Sequence, residues 1–102
     1  MGKYIMFVQS RPTEGKEADY HAWYDGEHVG DILSIPGVVS ARRFNAMKTM
    51  LPGPDLPFAA IYELETDDPQ AVLAAMAESG AKHPSPDALD SSAFGLWLYE
   101  QR

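Results

Sequence analysis

The residues of this chain best suited to chemistry lie between Tyr20 and Phe44, a stretch that contains His28. Asp31 follows His28 by three residues, which is within one turn of a helix. An imidazole titrates near neutral pH, so it can accept and release protons while a carboxylate fixes its tautomer. We therefore predict that His28 is an acid–base centre oriented by Asp31. The alternative is that His28 pins a helix kink by hydrogen bonding to the backbone.

Two further polar side chains could complete this site. Tyr24 precedes His28 by about one helical turn and could donate a hydrogen bond to a substrate oxygen. Arg43 falls among inward-facing apolar positions of a predicted strand, and a buried guanidinium needs a negative partner. That partner could be a ligand carboxylate or enolate, whose charge Arg43 would stabilise. It could instead be Asp31 or Glu63, and we expect such an internal salt bridge.

An apolar pocket beside His28 would need a wall of large side chains, which aromatic residues can supply. Aromatic residues of a small domain more often belong to its core, so each candidate also has this second interpretation. The candidate substrate-binding residues are Trp23, Tyr62, Phe94 and Trp97.

The helix that would carry His28 has two different faces at about 100° per residue. One arc is aromatic and titratable, and we expect it to face a pocket. The opposite arc is small and apolar, and we expect it to lie against a sheet. The first arc consists of Tyr20, Tyr24, Glu27, His28 and Asp31, and the second of Ala18, Ala22, Gly26, Val29 and Leu33. Gly26 and Gly30 predict a kink or restart between them.

The composition limits the partners and the location of the protein. Fifteen acidic residues against eight basic ones give a net charge of -7, which repels phosphate backbones, so we expect no nucleic acid partner. The apolar run at residues 4–8 is too short for a signal peptide or a membrane span. The chain has no cysteine, which excludes disulfides and thiolate chemistry. We predict a cytoplasmic protein that does not contact membranes.

The sequence offers little to hold a metal or a cofactor. Its nitrogen ligands are His21, His28 and His83, and the first two would lie about 10 Å apart along one helix, too far to share an ion. No phosphate-binding loop, dinucleotide fingerprint or nucleophile elbow is present. We therefore predict no metal and no cofactor.

Alternating apolar residues and turn signals predict four strands and two helices. Thr13 is a possible cap of the first helix. The second helix should begin at Asp67 or Asp68, with Pro69 in its first turn, and stop at Gly80. The strands are predicted at residues 3–9, 38–47, 58–65 and 93–100.

The element order is strand, helix, strand, strand, helix, strand. This order predicts one domain over residues 1–102 with a ferredoxin-like α+β fold, in which both helices cover one face of an antiparallel sheet. The other face would stay bare although its strands are apolar on both sides, so we predict a homodimer with sheet against sheet. The proline-rich segments 48–57 and 82–92 would connect elements or act as pocket lids.

A resemblance to a known family rests on the first helix and the second strand. The residues that carry it are Trp23, Tyr24, His28 and Asp31, followed by Pro36, Gly37 and the run SARRF at 40–44. In this element order they resemble the EthD-like branch of the dimeric α+β barrel superfamily. The resemblance implies a homodimer of ferredoxin-like subunits with a mostly apolar pocket between sheet and helices or near the dimer seam. That superfamily includes cofactor-free isomerases, polyketide cyclases, small monooxygenases and haem-using enzymes.

These observations favour a small cofactor-independent enzyme of lyase, isomerase or cyclase type that acts on a hydrophobic or aromatic molecule. In this hypothesis His28 transfers the proton, Asp31 orients it, Tyr24 binds the substrate oxygen and Arg43 stabilises developing negative charge. One alternative is a non-catalytic homodimer that binds a small hydrophobic ligand. The other is a haem- or oxygen-dependent monooxygenase, which the resemblance alone suggests.

Overall fold

The chain folds into a four-stranded antiparallel sheet with its helices on one face. A computed structural model describes residues 2–47 and 56–102. Most of the predicted loop 48–57 therefore lies outside the described residues. The described elements are β1 (Gly2–Pro12), α1 (Glu17–Trp23), a π-helical turn (Tyr24–His28), α2 (Val29–Leu33), β2 (Val38–Asn45), β3 (Phe58–Thr66), α3 (Pro69–Lys82) and β4 (Leu89–Glu100).

The strands lie in the order β2-β3-β1-β4. Met6 in the central strand β1 lies opposite Tyr62 of β3 and Leu98 of β4. This order and the helices on one face confirm the predicted ferredoxin-like α+β fold. The fourth strand begins earlier than predicted, at Leu89, because Pro12 of the long strand β1 extends far enough to pair with it.

The core lies between the sheet and the helices. Successive residues of a strand point to opposite faces, and the inward positions of the two central strands are apolar. Tyr62 and Leu64 of β3 are fully buried there, and Val72 of α3 covers them from the helical side together with residues of the first helix. Removing such large side chains from water is the main favourable term in a domain of this size.

The first helix presents the opposite face to the sheet from the one predicted. Tyr20 and Tyr24 are buried, with 0% and 3% of their surfaces exposed, whereas Ala18 and Ala22 are exposed and Leu33 is 42% exposed. The prediction was wrong because a tyrosine buries far more apolar area than an alanine or a glycine. A tyrosine can also pack with its hydroxyl bonded, as Tyr20 does to Ser10 of β1.

The predicted kink between Gly26 and Gly30 is instead a π-helical turn. The backbone N–H of Val29 donates to the carbonyl of Tyr24, five residues earlier, so the helix runs on with one wider turn. Neither glycine has a positive φ, and a Cβ at either would meet no atom within 4 Å. The turn ends at His28, and wider turns of this kind are frequent at functional sites.

Helix α3, which corresponds to the second predicted helix, begins as the sequence predicts. Asp68 accepts a hydrogen bond from the backbone N–H of Ala71 at 3.1 Å, and Pro69 follows in the first turn. The helix continues past Gly80 to Lys82, because a glycine weakens a helix without stopping it. Thr13 does not cap the first helix, since its hydroxyl donates to the carbonyl of Asp87 instead.

The outer face of the sheet carries large apolar side chains. Phe7 and Trp97 lie opposite each other on β1 and β4, with their ring centroids 6.0 Å apart. None of the described helices covers them, and side chains on this surface are exposed in one chain. The most exposed of these side chains are Ile5, Phe44, Trp97 and Tyr99.

Candidate active site

A cavity of about 300 Å³ opens between the helices and the sheet, at the low end of the sizes typical of small-molecule sites. Its floor comes from the inward residues of the sheet, including Tyr62, and its roof from the first helix, including Trp23 and His28. Phe94 and Leu96 of the edge strand β4 form its open side, and each leaves about half of its surface exposed. The walls are almost entirely apolar.

His28 reaches this cavity with its ring nitrogens free. Its ring stacks on that of Trp23, with centroids 4.5 Å apart and planes at 20°, and meets the ring of Tyr24 edge-on at 5.0 Å. Trp23 and His28 are five residues apart, a spacing that the wider π turn brings into register where an α-helix would not. Neither ring nitrogen of His28 makes a hydrogen bond within the part of the chain that the structure describes.

Burial lowers the pKa of His28 below the ordinary value of 6.5. The negative charge of Asp31 opposes this effect, and the positive charge of Arg43 adds to it. The imidazole is therefore neutral at pH 7 and can act as a base. The alternative prediction was that His28 pins a helix kink by hydrogen bonding to the backbone. Among the described residues its ring makes no such hydrogen bond.

Asp31 lies outside this cavity. It lines neighbouring surface grooves with Ser34, Lys82 and His83 and forms no hydrogen bond or ion pair with His28 among residues 2–47 and 56–102. The predicted orienting contact was wrong, because the π turn shifts α2 relative to α1 and places Asp31 to one side of the ring. Asp31 acts on His28 only through its charge.

A cluster of hydroxyl groups occupies one wall of the cavity. Ser10 and Tyr20 share a hydrogen bond of 2.5 Å, and the phenols of Tyr24 and Tyr62 lie next to each other beside them. The Tyr62 hydroxyl is fully enclosed and makes no hydrogen bond of normal geometry to the described residues. Burial raises the pKa values of both Tyr24 and Tyr62, so both phenols stay protonated and can donate hydrogen bonds.

Arg43 belongs to a separate cluster, in which its buried Nε has no hydrogen-bond partner among the described residues. Its guanidinium donates to a carboxylate oxygen of Asp25 at 2.9 Å, lies 3.2 Å from Nδ1 of His21 and sits 4.2 Å from the centroid of the Tyr24 ring. The internal salt bridge was expected, but its predicted partners were wrong. The strand register turns Glu63 to the outer sheet face, where it accepts from Arg42 at 2.6 Å.

Five of the predicted site residues come together at the cavity, and three do not. Trp97 is the clearest correction, because it alternates with Phe94 and Leu96 along β4 and therefore points to the outer sheet face. Arg43 and Asp31 also lie outside the cavity walls. The residues at the cavity are Trp23, Tyr24, His28, Tyr62 and Phe94.

Sequence reasoning missed Ser10 and His83, which also line the cavity. A signal for Ser10 was present, since it is a small polar residue at an inward position of a strand that is otherwise apolar there. His83 follows α3 in the proline-rich connection that was predicted to cover a pocket. Its position over the cavity depends on how α3 packs, which no local pattern reveals.

The described residues lack two kinds of feature. They contain no group of three or more histidine, aspartate or glutamate residues placed to hold a metal ion. Among the same residues, no helix is both long enough and apolar enough to cross a membrane.

Several solved structures are similar to this chain along nearly its whole length. An EthD-like protein from Ralstonia eutropha has a TM-score of 0.68 at 19% identity, with 98% of this chain and 92% of that one covered. An ethyl tert-butyl ether D (EthD) family protein from Bacillus halodurans has a TM-score of 0.64 at 15% identity, with both chains fully covered at 100%. A dimeric ferredoxin-like protein of unknown function from Jannaschia has a TM-score of 0.60 at 14% identity, covering 98% of this chain and 100% of that one.

These likenesses confirm the predicted EthD-like resemblance at the level of the fold. No protein-family sequence model matches the chain, and no curated protein shows significant sequence similarity to it. At such identities a shared fold does not carry a shared activity, so function must be argued from the cavity itself.

Proposed function

We propose that this chain is a small cofactor-independent enzyme, of lyase, isomerase or cyclase type, that moves a proton on a hydrophobic or aromatic molecule. The observation that carries the proposal is the unbonded, neutral His28 at the wall of an apolar cavity. A base works best when its pKa lies near or just below the working pH and when its nitrogen is not already used by the protein. His28 has no hydrogen bond on its ring nitrogens among the described residues, and burial lowers its pKa below 6.5, which keeps the imidazole in its basic form at pH 7.

In the proposed reaction His28 removes a proton from a carbon next to a carbonyl group. The electrons of the broken C–H bond move to the carbonyl oxygen and form an enolate. Tyr24 donates a hydrogen bond to that oxygen, where the negative charge develops. In an isomerisation, the enolate electrons shift through an adjacent C=C bond to another carbon, the carbonyl re-forms and the imidazolium gives its proton to that carbon. In an elimination, the enolate electrons form a C=C bond and break the bond from the β-carbon to the departing group, which takes the proton from the imidazolium.

Arg43 contributes to this chemistry in two ways, by its charge, which helps to lower the pKa of His28, and through Tyr24. Its guanidinium packs against the Tyr24 ring at 4.2 Å, and its charge partly offsets the rise that burial causes in the pKa of that phenol. A phenol with a lower pKa is a stronger hydrogen-bond donor to an enolate. The role proposed for Arg43 is therefore to position and polarise Tyr24.

We also propose that the active form is a homodimer joined through the outer faces of two sheets. The exposed apolar side chains there include Trp97 and Tyr99, at 43% and 52% exposure, and large apolar surfaces on a sheet usually meet a partner. One structurally similar protein is itself described as dimeric. Light scattering should give twice the chain mass of 11.2 kDa, and Trp97→Arg should shift the protein towards monomer. A natural-sequence protein that stays monomeric at micromolar concentration would contradict this assembly.

Proton exchange in heavy water tests the catalytic proposal without knowledge of the natural substrate. Two aromatic ketones, 2-acetylnaphthalene and 2-tetralone, carry exchangeable protons next to a carbonyl group. We expect the protein to speed their replacement by deuterium, measured by NMR, above the rate in buffer alone. Ketones that bind in the cavity without faster exchange would identify a binding protein instead of an enzyme.

The pH dependence of this exchange identifies the base. Because the pKa of His28 is lowered from 6.5, the imidazole is neutral above that value and becomes protonated only as the pH falls below it. The exchange rate should be flat from about pH 7 to about pH 8 and should fall at lower pH, with its midpoint below 6.5. A rate that rises steadily with pH across the whole range would point to hydroxide and not to His28.

A further inference from the structure

We infer that the cavity selects an uncharged aromatic ligand that carries one carbonyl oxygen, and that the Tyr24 hydroxyl binds this oxygen. The inference rests on the proposed site but concerns which molecule it accepts. It is therefore tested by binding alone and can stand or fall apart from the proton chemistry.

The absence of charge along the described cavity walls carries the first step. No aspartate, glutamate, lysine or arginine lines the cavity among the residues that the structure places. His28 is neutral at pH 7, so it offers no positive charge to an anion. A carboxylate entering such a space would lose its water without gaining a counter-ion, which is strongly unfavourable.

The cation nearest to this site is already committed. Arg43 is only 16% exposed and is held by Asp25 at 2.9 Å and by His21 at 3.2 Å. It packs against the Tyr24 ring and is not among the lining residues of the described cavity, so the Tyr24 ring stands between its charge and a ligand. The net charge of -7 further disfavours the approach of an anion.

The second step, that a carbonyl oxygen binds to Tyr24, rests on the hydroxyl groups at one wall of the cavity. Ser10 is occupied by Tyr20, at 2.5 Å. Tyr24 lines the cavity, and its hydroxyl lies near those of Tyr62 and Ser10, both of which can donate to it and leave its own O–H free for a ligand oxygen. The enclosed Tyr62 hydroxyl beside it has no hydrogen bond of normal geometry in the part of the chain that the structure describes. Buried hydroxyls without partners are costly, so a ligand oxygen placed here would restore a missing bond.

The rest of the cavity suits a flat ring. The stacked pair of Trp23 and His28 presents aromatic surface from the helix, and Phe94 and Leu96 present apolar surface from the sheet. Ring-to-ring contacts of this kind add to the free energy gained by removing apolar area from water. The cavity thus combines a cluster of hydroxyls and two histidines, His28 and His83, with a mainly apolar body.

Three probes of matched shape test both steps. The ketone 2-acetylnaphthalene, the carboxylate 2-naphthoate and the hydrocarbon 2-isopropenylnaphthalene differ only in the group attached to the same ring system. Dissociation constants would be measured by equilibrium dialysis at about pH 8, where the carboxylate is ionised. We expect the ketone to bind about fivefold more tightly than the hydrocarbon, for one added hydrogen bond. The carboxylate should bind at least about 100-fold more weakly than the ketone.

The two tryptophans locate the probe. Trp23 lines the cavity and Trp97 lies on the opposite face of the sheet. In proton–nitrogen NMR spectra, the indole N–H signal of Trp23 should move on addition of the ketone while that of Trp97 stays in place. The Trp97→Phe protein assigns the two signals.

The Tyr24→Phe protein isolates the hydroxyl. It keeps the ring that packs on Arg43, and we expect its affinity for the ketone to fall to that for the hydrocarbon. Equal or tighter binding of the carboxylate would overturn the first step, and equal binding of ketone and hydrocarbon by the natural sequence would overturn the second. Should Tyr24→Phe fail to fold, the three probes on the natural sequence still decide both steps. Movement of the Trp97 signal alone, or no binding by any probe, would overturn the inference as a whole.

Discussion

Two histidines on the first helix, seven residues apart, have opposite surroundings. His21 contacts Arg43 at 3.2 Å and meets the ring of Phe58 edge-on at 4.4 Å, so it is held by a charged and aromatic cluster. His28 stacks on Trp23 and has no hydrogen bond among the described residues. The two side chains have the same chemistry, and only their neighbours differ.

This comparison shows why one end of the helix is a candidate site and the other is part of the scaffold. Polar groups that already bond one another stabilise the fold and have little capacity left for a ligand. Around His21 the ion pair between Arg43 and Asp25 uses that capacity. Around His28 the cavity leaves it unused, and a π turn directs the ring there.

Replacing each histidine in turn should give the largest difference in activity between the two ends of the helix. In the His28→Asn protein the exchange of ketone protons should fall at least about 100-fold, because the base is gone. In the matched His21→Asn protein it should stay within about threefold, because His21 has no contact with the cavity. NMR exchange rates on both folded proteins measure the difference. Equal losses in the two variants would mean that neither histidine is the base.

A second pair of variants tests the cluster around Arg43 through stability. Arg43→Ala removes a largely buried side chain, its ion pair and its contact with the Tyr24 ring, and should lower the free energy of unfolding by about 2 to 3 kcal/mol. Arg42→Ala, one residue earlier, removes an exposed ion pair with Glu63 and should cost less than about 1 kcal/mol.

Urea unfolding of both arginine variants measures these losses. Similar losses would show that the cluster around His21 is not a structural unit. A fall in ketone exchange on Arg43→Ala, with the fold intact, would support the role proposed for Arg43 behind Tyr24.

The order of the elements could be predicted from the sequence, whereas the contacts across elements could not. Alternation in residues 3–9 and 58–65 and the cap at Asp68 are local patterns, and the structure has the corresponding strands and helix. The position of the site depends on the helical phase, that is, on the direction in which each side chain leaves the helix. Sequence reasoning placed His28 by assuming about 100° per residue, and the π turn changes that phase by an extra residue between Tyr24 and His28.

The partner of Arg43 shows the same limit. Alternation correctly indicated that Arg43 points inward, but the choice among Asp25, Asp31 and Glu63 depends on which helix residue lies above that strand. The inverted face of the first helix follows from the same cause. Only the packed structure shows that Tyr20 of the helix reaches Ser10 of the sheet, a contact that goes with the observed rotation of the helix.

Removing the hydroxyl from each of two tyrosines should change the free energy of unfolding by a smaller amount, and in different directions. Tyr20 packs beside His21 and Arg43 and is not among the cavity-lining residues, although its hydroxyl is bonded to Ser10, which lines the cavity and is only 3% exposed. Tyr20→Phe would leave that serine hydroxyl buried without a partner, so the free energy of unfolding should fall by about 1 to 2 kcal/mol. Tyr62 belongs to the cavity, and its enclosed hydroxyl has no such bond to lose.

Tyr62→Phe should therefore be neutral or should raise the free energy of unfolding by up to about 1 kcal/mol, since it removes a buried polar group that is not satisfied. The rings stay in place in both variants, so the difference in sign isolates the two hydroxyls. Urea titrations with equal slopes would show that both proteins unfold from the same compact state. A loss for Tyr62→Phe as large as that for Tyr20→Phe would mean that the cavity wall is as fully bonded as the cluster around His21, which would remove the contrast between the two ends of the helix.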